Sequence, residues 1–273
     1  MCGGTAWILL MVAVVLCVVC LFIPWNPLLD AELKVECHSK QVYSFREFGE
    51  RIIRRESIYE DLQNLVPNFH SFGSRKQIFE YILRRYFVSP RHRKLLRIIE
   101  VGAYKGNFTN DMAISCRRFN IACAIIAIDT WQYNSWMRGY GDPENGNDTL
   151  FFNEYLSNIV YYNNSQIVAP YRISTRGAYV ALKCAGVKAD LIYVDADHTF
   201  KAVYDDMNMY YDLLADNGVM FGDDLWFPEV KRAVDAFSKL RKGNLIDLGQ
   251  MDARTWLVEK DVKYFQRDFE SQE

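Results

Sequence analysis

The chain has 273 residues, of which 50% are hydrophobic and 24% are charged, a composition typical of a globular protein rather than a disordered or fibrous one. Its 32 Lys and Arg residues stand against 34 Asp and Glu residues, which gives a formal net charge of −2. General nucleic-acid binders neutralise phosphates with an excess of positive charge, so no nucleic-acid partner is expected.

An apolar run without any charged residue occupies residues 6–23, close to the minimum length of about 18 residues for a bilayer span. Trp7 and Trp25 bracket the run, and Pro24 ends the helix. A cleaved signal peptide is the alternative, but no basic residue precedes the run and no clear small-residue cleavage site follows it. We therefore expect a retained membrane anchor over residues 1–28 and a single-pass membrane protein.

The charges around this anchor indicate the side of the membrane on which the body lies. Lys34, Lys40 and Arg46 follow the run, and the positive-inside tendency then predicts a cytosolic body. The cysteines beyond the run agree, since they show neither paired spacing nor a CxxC metal signature; they are Cys37, Cys116, Cys123 and Cys184.

Three N-x-S/T sequons begin at Asn107, Asn147 and Asn163. Each would be a glycan acceptor only in a lumen, and Asn107 lies in a predicted ligand loop where a glycan would not fit. Because sequons arise often by chance, no glycosylation is expected from them.

The body divides into a stem and helical lead-in over residues 29–73, a catalytic domain over 74–262 and a tail over 263–273. Within the domain, apolar strand-like runs alternate with amphipathic helical segments, which is the pattern of a doubly wound parallel sheet. The predicted strands cover 96–102, 124–129, 166–174, 191–196 and 218–224, and the predicted helices cover 109–119, 176–185, 201–215 and 228–239. Two last runs, 244–250 and 255–260, predict an antiparallel hairpin at the sheet edge.

A glycine-containing turn follows the first predicted strand, in the pattern Glu100-x-Gly102-x3-Gly106. Such glycines let the backbone turn tightly and approach a ligand, while the next helix offers free N–H groups. The pattern lacks the third glycine of a dinucleotide fingerprint and the Lys-Ser/Thr of a P-loop, so a structural turn is an alternative. Asp129 ends the next strand, where a ribose diol is bound, and the two features together indicate a nucleoside site.

Acidic residues and a histidine follow the fourth and fifth predicted strands. Carboxylates at the ends of adjacent strands repel one another unless a cation or shared protons lie among them. A hard divalent ion, most simply Mg²⁺, relieves this repulsion and lowers the pKa of a bound substrate hydroxyl. The residues in question are Asp195, Asp197, His198, Asp223 and Asp224.

Two of these residues also have structural interpretations. Asp197 is suited to cap the helix that begins near Thr199, and His198 is suited to be a helix-start residue with a satisfied hydrogen bond. Asp223 and Asp224 are harder to explain by packing, because acids are rarely buried without a partner.

A long segment from Thr130 to Thr149 follows Asp129 and is rich in aromatic residues, Gly and Asn. Loops of this length are usually functional, although an ordinary surface loop is the alternative. Its position predicts cofactor contacts from Thr130 and from Trp131 or Tyr133, and a substrate lid from Trp136, Met137 and Tyr140. Position alone places Ser174 near an adenine, and Trp226 with Phe227 is expected to form an apolar wall for an acceptor ring.

Over residues 74 to about 260, the chain resembles the class I S-adenosylmethionine-dependent methyltransferases. It is most similar to a methyltransferase 24-like group with the motifs D-L-I-Y-[VI]-D-A-D/G-H and G-G/N-G-V-x-x-x-D-D. The resemblance implies a Rossmann-like seven-stranded α/β sheet, mostly parallel with a C-terminal antiparallel hairpin, here preceded by the transmembrane helix. It also implies that S-adenosylmethionine is bound by Glu100, Gly102, Gly106 and Asp129.

The fourth and fifth motifs are also similar to those of cation-dependent O-methyltransferases, which read V-D-A-D-K and end the fifth strand in D-N. That resemblance implies a divalent metal held by Asp195, Asp223 and Asp224. His198 stands where the catalytic Lys would be, and neutral imidazole is a competent base near pH 7. Asp224 replaces the Asn of that family.

The sequence therefore predicts methylation of a hydroxyl group on a small-molecule acceptor, assisted by a divalent metal, with His198 and Asp195 as catalytic residues. A metal-independent N-methyltransferase is the nearest alternative. A non-catalytic nucleotide-binding or scaffold protein on the same fold is the other.

Overall fold

The computed structural model describes residues 37, 41–60, 62, 67, 75–88, 95–132, 148–241, 245–246 and 253–260. The chain divides into two compact units, Met1–Glu36 and Cys37–Glu273, and all of the described residues belong to the second. The predicted anchor, the tail and residues 133–147 lie outside the described residues. Within the part of the chain that the structure describes, no helix is long and apolar enough to cross a membrane.

A seven-stranded sheet forms the centre of the second unit, in the order β3-β2-β1-β4-β5-β7-β6. Strands β1 to β5 pair with one another in parallel, and β7 runs antiparallel to both β5 and β6. This confirms the predicted mostly parallel sheet with an antiparallel C-terminal hairpin. The strands are β1 (Leu96–Val101), β2 (Cys123–Asp129), β3 (Val168–Arg172), β4 (Ala189–Val194), β5 (Leu214–Gly222), β6 (Leu245–Ile246) and β7 (Trp256–Glu259).

The strand order reverses at β1, since the chain first builds β2 and β3 on one side of it and then β4 and β5 on the other. In open α/β sheets, the carboxyl ends of the strands at such a switch point form the crevice in which ligands bind. The topology therefore predicts a ligand crevice at the residues that follow β1, β2, β4 and β5.

Helices cover the sheet and connect its parallel strands, as right-handed crossovers require. Two short segments, α1 and α3, continue into π-helical turns over Phe48–Ile52 and Leu83–Phe87. The helices are α1 (Phe45–Glu47), α2 (Arg55–Glu60), α3 (Lys76–Ile82), α4 (Asn107–Arg118), α5 (Asp148–Tyr161), α6 (Thr175–Cys184), α7 (Phe200–Leu213) and α8 (Pro228–Leu240).

Helix α5 was not predicted from the sequence, although α4, α6, α7 and α8 were. Its apolar residues Phe151, Tyr155, Leu156 and Ile159 are all buried, at the spacing of one helical face. This helix links β2 to β3 and covers the loop after β1.

A disulfide joins Cys37 to Cys184 at the end of α6, with a Cα–Cα distance of 5.3 Å across 147 residues of sequence. The backbone N–H of Tyr43 donates to the carbonyl of Ala185 at 2.9 Å, so the lead-in lies beside the same helix end. The spacing of the cysteines gave no signal for this pairing, because it is produced by tertiary packing alone.

Candidate active site

The loop after β1 is held in left-handed backbone conformations by its two glycines. Gly102 has φ 88° and Gly106 has φ 77°, a region that side chains other than glycine adopt with strain. A Cβ on Gly102 would lie 2.0 Å from the carbonyl oxygen of Asp195, and one on Gly106 would lie 2.8 Å from the ring of Tyr155. Both glycines are thus required where the sequence predicted them, by backbone conformation and by the close approach of neighbouring protein atoms.

Asp129, at the end of β2, fixes this loop through three hydrogen bonds. Its Oδ2 accepts from the backbone N–H groups of Ala103 and Tyr104 at 3.0 and 2.9 Å, and its Oδ1 accepts from that of Trp131 at 2.8 Å. Burial raises the pKa of Asp129, although the backbone donors oppose that shift. The carboxylate thus lies where a ribose diol was predicted to bind, and backbone N–H groups already donate to both of its oxygens.

Glu100, the acid within β1, is 1% exposed and accepts a hydrogen bond from the hydroxyl of Thr109 in the first turn of α4. Burial raises the pKa of Glu100 well above its ordinary value, and the nearby Asp129 and Asp195 raise it further. Three acids therefore meet around the start of α4, which is where the cofactor-binding residues were predicted.

Trp131 has a packing role that the sequence did not indicate. The side chain is 1% exposed, and its indole Nε1 donates to the carbonyl of Tyr104 at 2.6 Å. Its ring lies 4.8 Å from that of Phe152 and 4.7 Å from that of Tyr155. Trp131 supports the β1 loop from behind, and the exposed aromatic residues predicted near it lie outside the described residues.

The other two predicted cofactor residues make local backbone contacts. Ser174 caps α6 by accepting from the N–H of Gly177 at 3.2 Å, and Thr130 accepts from the N–H of Gln132 at 3.3 Å. Their positions at the carboxyl ends of β3 and β2 agree with the prediction, whereas cofactor contact by either side chain stays a prediction.

An imidazole lies between two carboxylates at the ends of β4 and β5. His198 Nε2 is 2.6 Å from Asp224 Oδ2 and 3.7 Å from Asp195 Oδ1. One ligand atom from each residue lies within 4.8 Å of the others, so the three form a possible metal-binding group. Asp195 is further fixed by the hydroxyl of Tyr193, which donates to its Oδ2 at 2.8 Å.

Asp223 is not part of this group, so the predicted trio of Asp195, Asp223 and Asp224 is not assembled as expected. Its carboxylate forms an ion pair with Arg75, just before α3, and both side chains are only 8% exposed. Successive side chains at a strand end point to opposite faces, and Asp224 adopts a left-handed φ of 61° that turns the chain. His198 takes the third place that Asp223 was expected to hold.

The two carboxylates change the charge state of the histidine between them. Hydrogen bonds to Asp195 and Asp224 raise the pKa of His198 to about 10. Burial opposes the shift at Asp224, but the hydrogen bond from His198 lowers the pKa of that carboxyl. In this arrangement the positive imidazolium offsets the repulsion between Asp195 and Asp224 that a metal ion was expected to relieve, and Arg75 offsets the negative charge of Asp223.

Asp197 has the structural role that was its alternative in the sequence. Its Oδ1 accepts from the backbone N–H of Thr199 at 2.7 Å and so orders the turn that leads into α7. This turn places His198 over the end of β4.

An aromatic pair borders the cluster on the side of α8. Trp226 and Phe227 stack with ring centroids 3.9 Å apart, and Trp226 is 61% exposed. The Trp226 indole donates to Asp224 Oδ1 at 2.9 Å, and the Phe227 ring lies 5.0 Å from that of His198. The predicted apolar wall is therefore present beside the imidazole.

Sequence reasoning missed two residues of the site, Arg75 and Tyr193. Tyr193 lies two residues before Asp195, and the period of a strand was a usable signal that both face the same side. Arg75 gave no signal, because its helix belongs to a distant part of the sequence.

A family model described as a methyltransferase domain matches residues 99–225, which is just under half of the chain. A search among curated protein sequences found no match. Among solved structures, a putative O-methyltransferase from Klebsiella pneumoniae is similar at a TM-score of 0.48 and 14% identity, covering 91% of this chain and 96% of that one.

Two further structures are similar over less of the chain. CalS11, a TDP-rhamnose 3'-O-methyltransferase of calicheamicin biosynthesis, gives a TM-score of 0.48 and 15% identity, with 67% of this chain and 78% of that chain covered. An O-methyltransferase from Bacillus cereus gives 0.45 and 11%, with 78% and 90% covered.

The matched segment runs from β1 through the Asp223-Asp224 pair, so it includes the glycine loop, Asp129 and the His198 cluster. These residues are therefore similar to a methyltransferase domain, which agrees with the resemblance that the motifs indicated.

Proposed function

We propose that this domain transfers the methyl group of S-adenosylmethionine to a hydroxyl oxygen of a small-molecule acceptor. The observation that carries the proposal is the Asp195–His198–Asp224 cluster, which provides a proton-transfer group beside the cofactor loop. Methylation of a hydroxyl needs such a group, because the oxygen must lose its proton as the new bond forms.

The residues present fit the cofactor. The loop after β1 turns on Gly102 and Gly106 into the N-terminus of α4, and Asp129 stands at the end of β2, the position at which a ribose diol is bound in open α/β sheets. When bound, S-adenosylmethionine supplies an electrophilic methyl group on a sulfonium centre. Gly102 also lies against the carbonyl of Asp195, so the cofactor loop and the acid cluster are in direct contact.

The chain's own contribution to methyl transfer is positioning and proton transfer. Asp195 and Asp224 hold the imidazole of His198 from two sides, and Tyr193 holds Asp195 in turn. With its ring fixed, His198 in its neutral form accepts the proton of the acceptor hydroxyl, and the two carboxylates stabilise the imidazolium that results. The wall of Phe227 and Trp226 excludes water from one side of that group.

A divalent cation held by Asp195, His198 and Asp224 is the alternative form of the proposal, because a ring nitrogen that binds a metal no longer accepts a proton. The three donor atoms are close enough to surround one ion, and the set of two carboxylates and one imidazole suits a transition-metal ion such as Mn²⁺ better than Mg²⁺, which prefers oxygen. A cation there would stabilise negative charge on the acceptor oxygen. Asp223, bound to Arg75, is not among its proposed ligands.

The exposed Trp226 supports an acceptor that contains a ring. A flat aromatic surface next to the reacting group binds the face of a sugar or phenol and leaves its hydroxyl edge directed at His198. Attachment to a membrane through residues 6–23 remains a proposal from the sequence.

Calorimetric titration of the full-length chain with S-adenosylmethionine tests the cofactor assignment. We expect saturable binding in the wild type, loss in Asp129→Ala and retention in Asp216→Ala, which removes an exposed acid. A thermal melt of each variant separates lost affinity from lost folding. If the wild type binds no cofactor, a scaffold or another nucleotide ligand becomes the better explanation.

A second titration tests the metal and the acceptor atom. We expect MnCl₂ to bind the wild type and Asp223→Asn but not Asp224→Asn, and EDTA to reduce turnover. Turnover that EDTA leaves unchanged would remove the metal and favour either metal-free O-methylation or an N-methyltransferase. The NMR spectrum of the methylated product distinguishes those two, because a methyl group on oxygen and one on nitrogen have different chemical shifts.

A further inference from the structure

We propose that the domain matures in an oxidising secretory compartment and that Asn163 is an N-glycan acceptor there. Neither part rests on the methyltransferase activity. The first follows from the disulfide and the second from the position of a sequon on the folded domain.

The disulfide is the evidence for the compartment. Cys37 and Cys184 lie 5.3 Å apart between Cα atoms, and the hydrogen bond from Tyr43 to Ala185 holds the same two segments together. Cys37 is exposed, so the glutathione pool of a cytosol would reach the bond and keep it reduced. A tertiary arrangement that pairs two cysteines from distant segments is typical of proteins that fold where disulfides persist.

The cysteines outside the disulfide also agree with an oxidising compartment. Among the residues that the structure describes, Cys116 and Cys123 are free, and both are buried in the core. Buried thiols are protected from oxidation, whereas the cysteine that is exposed has a partner. This distribution suits an oxidising environment.

The sequon Asn163-Asn164-Ser165 lies in the turn between α5 and β3. Asn163 is exposed and has a left-handed φ of 56°, a conformation that Asn tolerates. The next residue, Asn164, is fully buried and bonds to Arg117, so the turn is anchored while the acceptor side chain stays at the surface. Exposed turns of this kind are where N-glycans are accommodated.

Asn163 and the proposed active site lie at opposite edges of the sheet. The turn comes directly before β3 and so lies at the amino-terminal edge of the parallel sheet, whereas the His198 cluster and the glycine loop lie at the carboxyl edge. A glycan on Asn163 therefore leaves the active site open. The sequon at Asn107 differs, because Asn107 follows Gly106 directly and its Thr109 is buried against Glu100.

A secretory location differs from the cytosolic location that Lys34, Lys40 and Arg46 predicted for the body. Delivery into the secretory pathway requires only that residues 6–23 act as a signal peptide or as an anchor whose N-terminus stays cytosolic. The positive-inside tendency is a bias rather than a rule, so a covalent bond in the folded domain outweighs it.

Expression of the full-length chain in cultured eukaryotic cells tests both parts. Peptide N-glycosidase converts a glycan-bearing Asn to Asp, so mass spectrometry of the treated protein should find Asp at position 163. Asn163→Gln and Ser165→Ala should each remove one step of electrophoretic mobility. Ser165→Ala leaves the turn residue intact and guards against a folding defect in the first variant.

The matched control is Asn120→Gln, which changes an exposed Asn at φ 55° after a helix but outside any sequon, and should leave mobility unchanged. Alkylation of thiols without reduction should leave Cys37 and Cys184 unlabelled. Unconverted Asn163 in a chain with the disulfide intact would overturn the glycan site. Free thiols at Cys37 and Cys184 in a chain without glycans would overturn both parts.

Discussion

The carboxylate of Asp223 is bound by the guanidinium of Arg75, and both side chains are buried at 8% exposure. The next residue, Asp224, is bound instead by His198 and by the indole of Trp226. Two adjacent acids that look equivalent in the sequence therefore have different partners. Asp223 connects the end of β5 to Arg75 at the start of α3, and Asp224 belongs to the site.

Arg75→Met should destabilise the domain strongly, because it leaves the buried Asp223 carboxylate without its partner. Breaking a buried ion pair costs about 3–5 kcal/mol, and the free energy of unfolding from denaturant titration measures it. The double variant Arg75→Met/Asp223→Leu removes both charges and should recover a large part of that loss.

The control is Lys231→Met, which breaks an exposed pair with Asp235 on α8. Exposed pairs of this kind contribute about 0–1 kcal/mol. If Lys231→Met and Arg75→Met lower the free energy of unfolding by equal amounts, then burial does not increase the contribution of the Arg75–Asp223 pair to stability.

The positions of the parallel strands along the chain were predictable because both faces of the sheet are covered. Strands buried on two sides are continuously apolar, and β1, β2 and β4 have this character in residues such as Ile98, Ile125 and Ile192, all fully buried. A charged residue directly after such an apolar run stands out in the sequence, and this made the acids at the strand ends easy to identify. Local pattern was enough to find Asp129, Asp195 and Asp224.

Features that depend on contacts between distant segments were not predictable. Cys37 comes from the lead-in and Arg75 from the segment just before α3, and only the folded chain brings them to Cys184 and Asp223. Helix α5 was missed for a different reason. Its start at Asp148 adjoins a polar, glycine-rich segment, and this obscured the helical spacing of Phe151 and Tyr155.

His198→Gln should lower kcat while leaving the affinity for S-adenosylmethionine unchanged. Glutamine cannot exchange a proton in the range of pH used, and loss of a general acid–base group typically costs about 10²- to 10⁴-fold in rate. Steady-state kinetics and calorimetry on the same preparation measure the two quantities.

Asp197→Asn is the control for this substitution, since the amide oxygen of Asn can still accept from Thr199 and keep the turn. It should retain kcat. If His198→Gln retains it as well, His198 is not the proton-transfer group of the reaction.

Trp226→Ala should raise the KM for the acceptor with a smaller effect on kcat. The stacked indole offers ring contact worth about 0.5–1.5 kcal/mol, which corresponds to roughly a 2- to 10-fold change in KM. Trp226→Phe keeps a ring and should restore most of the affinity, although it removes the hydrogen bond to Asp224. Leu240→Ala, at an exposed apolar position at the end of α8, should change neither constant, and a raised KM there would argue against a specific role for Trp226.

Asp206 should make the stability of the domain fall as the pH rises from about 4 to about 7. The side chain lies on α7, only 4% exposed, and burial raises its pKa to about 7, against a hydrogen bond from Thr175 and with smaller contributions from Asp205 and Asp197. An unfolded Asp titrates near about 3.9, so between these two values the folded state binds the proton more tightly than the unfolded state does. Stability is then greatest at the acidic end of the window and is lost as the pH passes through the folded pKa.

Asp206→Asn should abolish this dependence, because an amide carries no charge at any pH and can still accept from the Thr175 hydroxyl. The variant should be more stable than the wild type at pH 8, by on the order of 4 kcal/mol, and this difference should shrink to on the order of 1–2 kcal/mol at pH 5. Asp205→Asn is the matched control, since it changes the neighbouring acid, which is partly exposed and paired with Lys201. Unfolding titrations at pH 5, 6, 7 and 8 give the four free energies needed for each protein. Parallel curves for the wild type and Asp206→Asn would mean that the buried carboxyl is ionised throughout, and that the polar groups of α6 and α7 stabilise its charge better than burial penalises it.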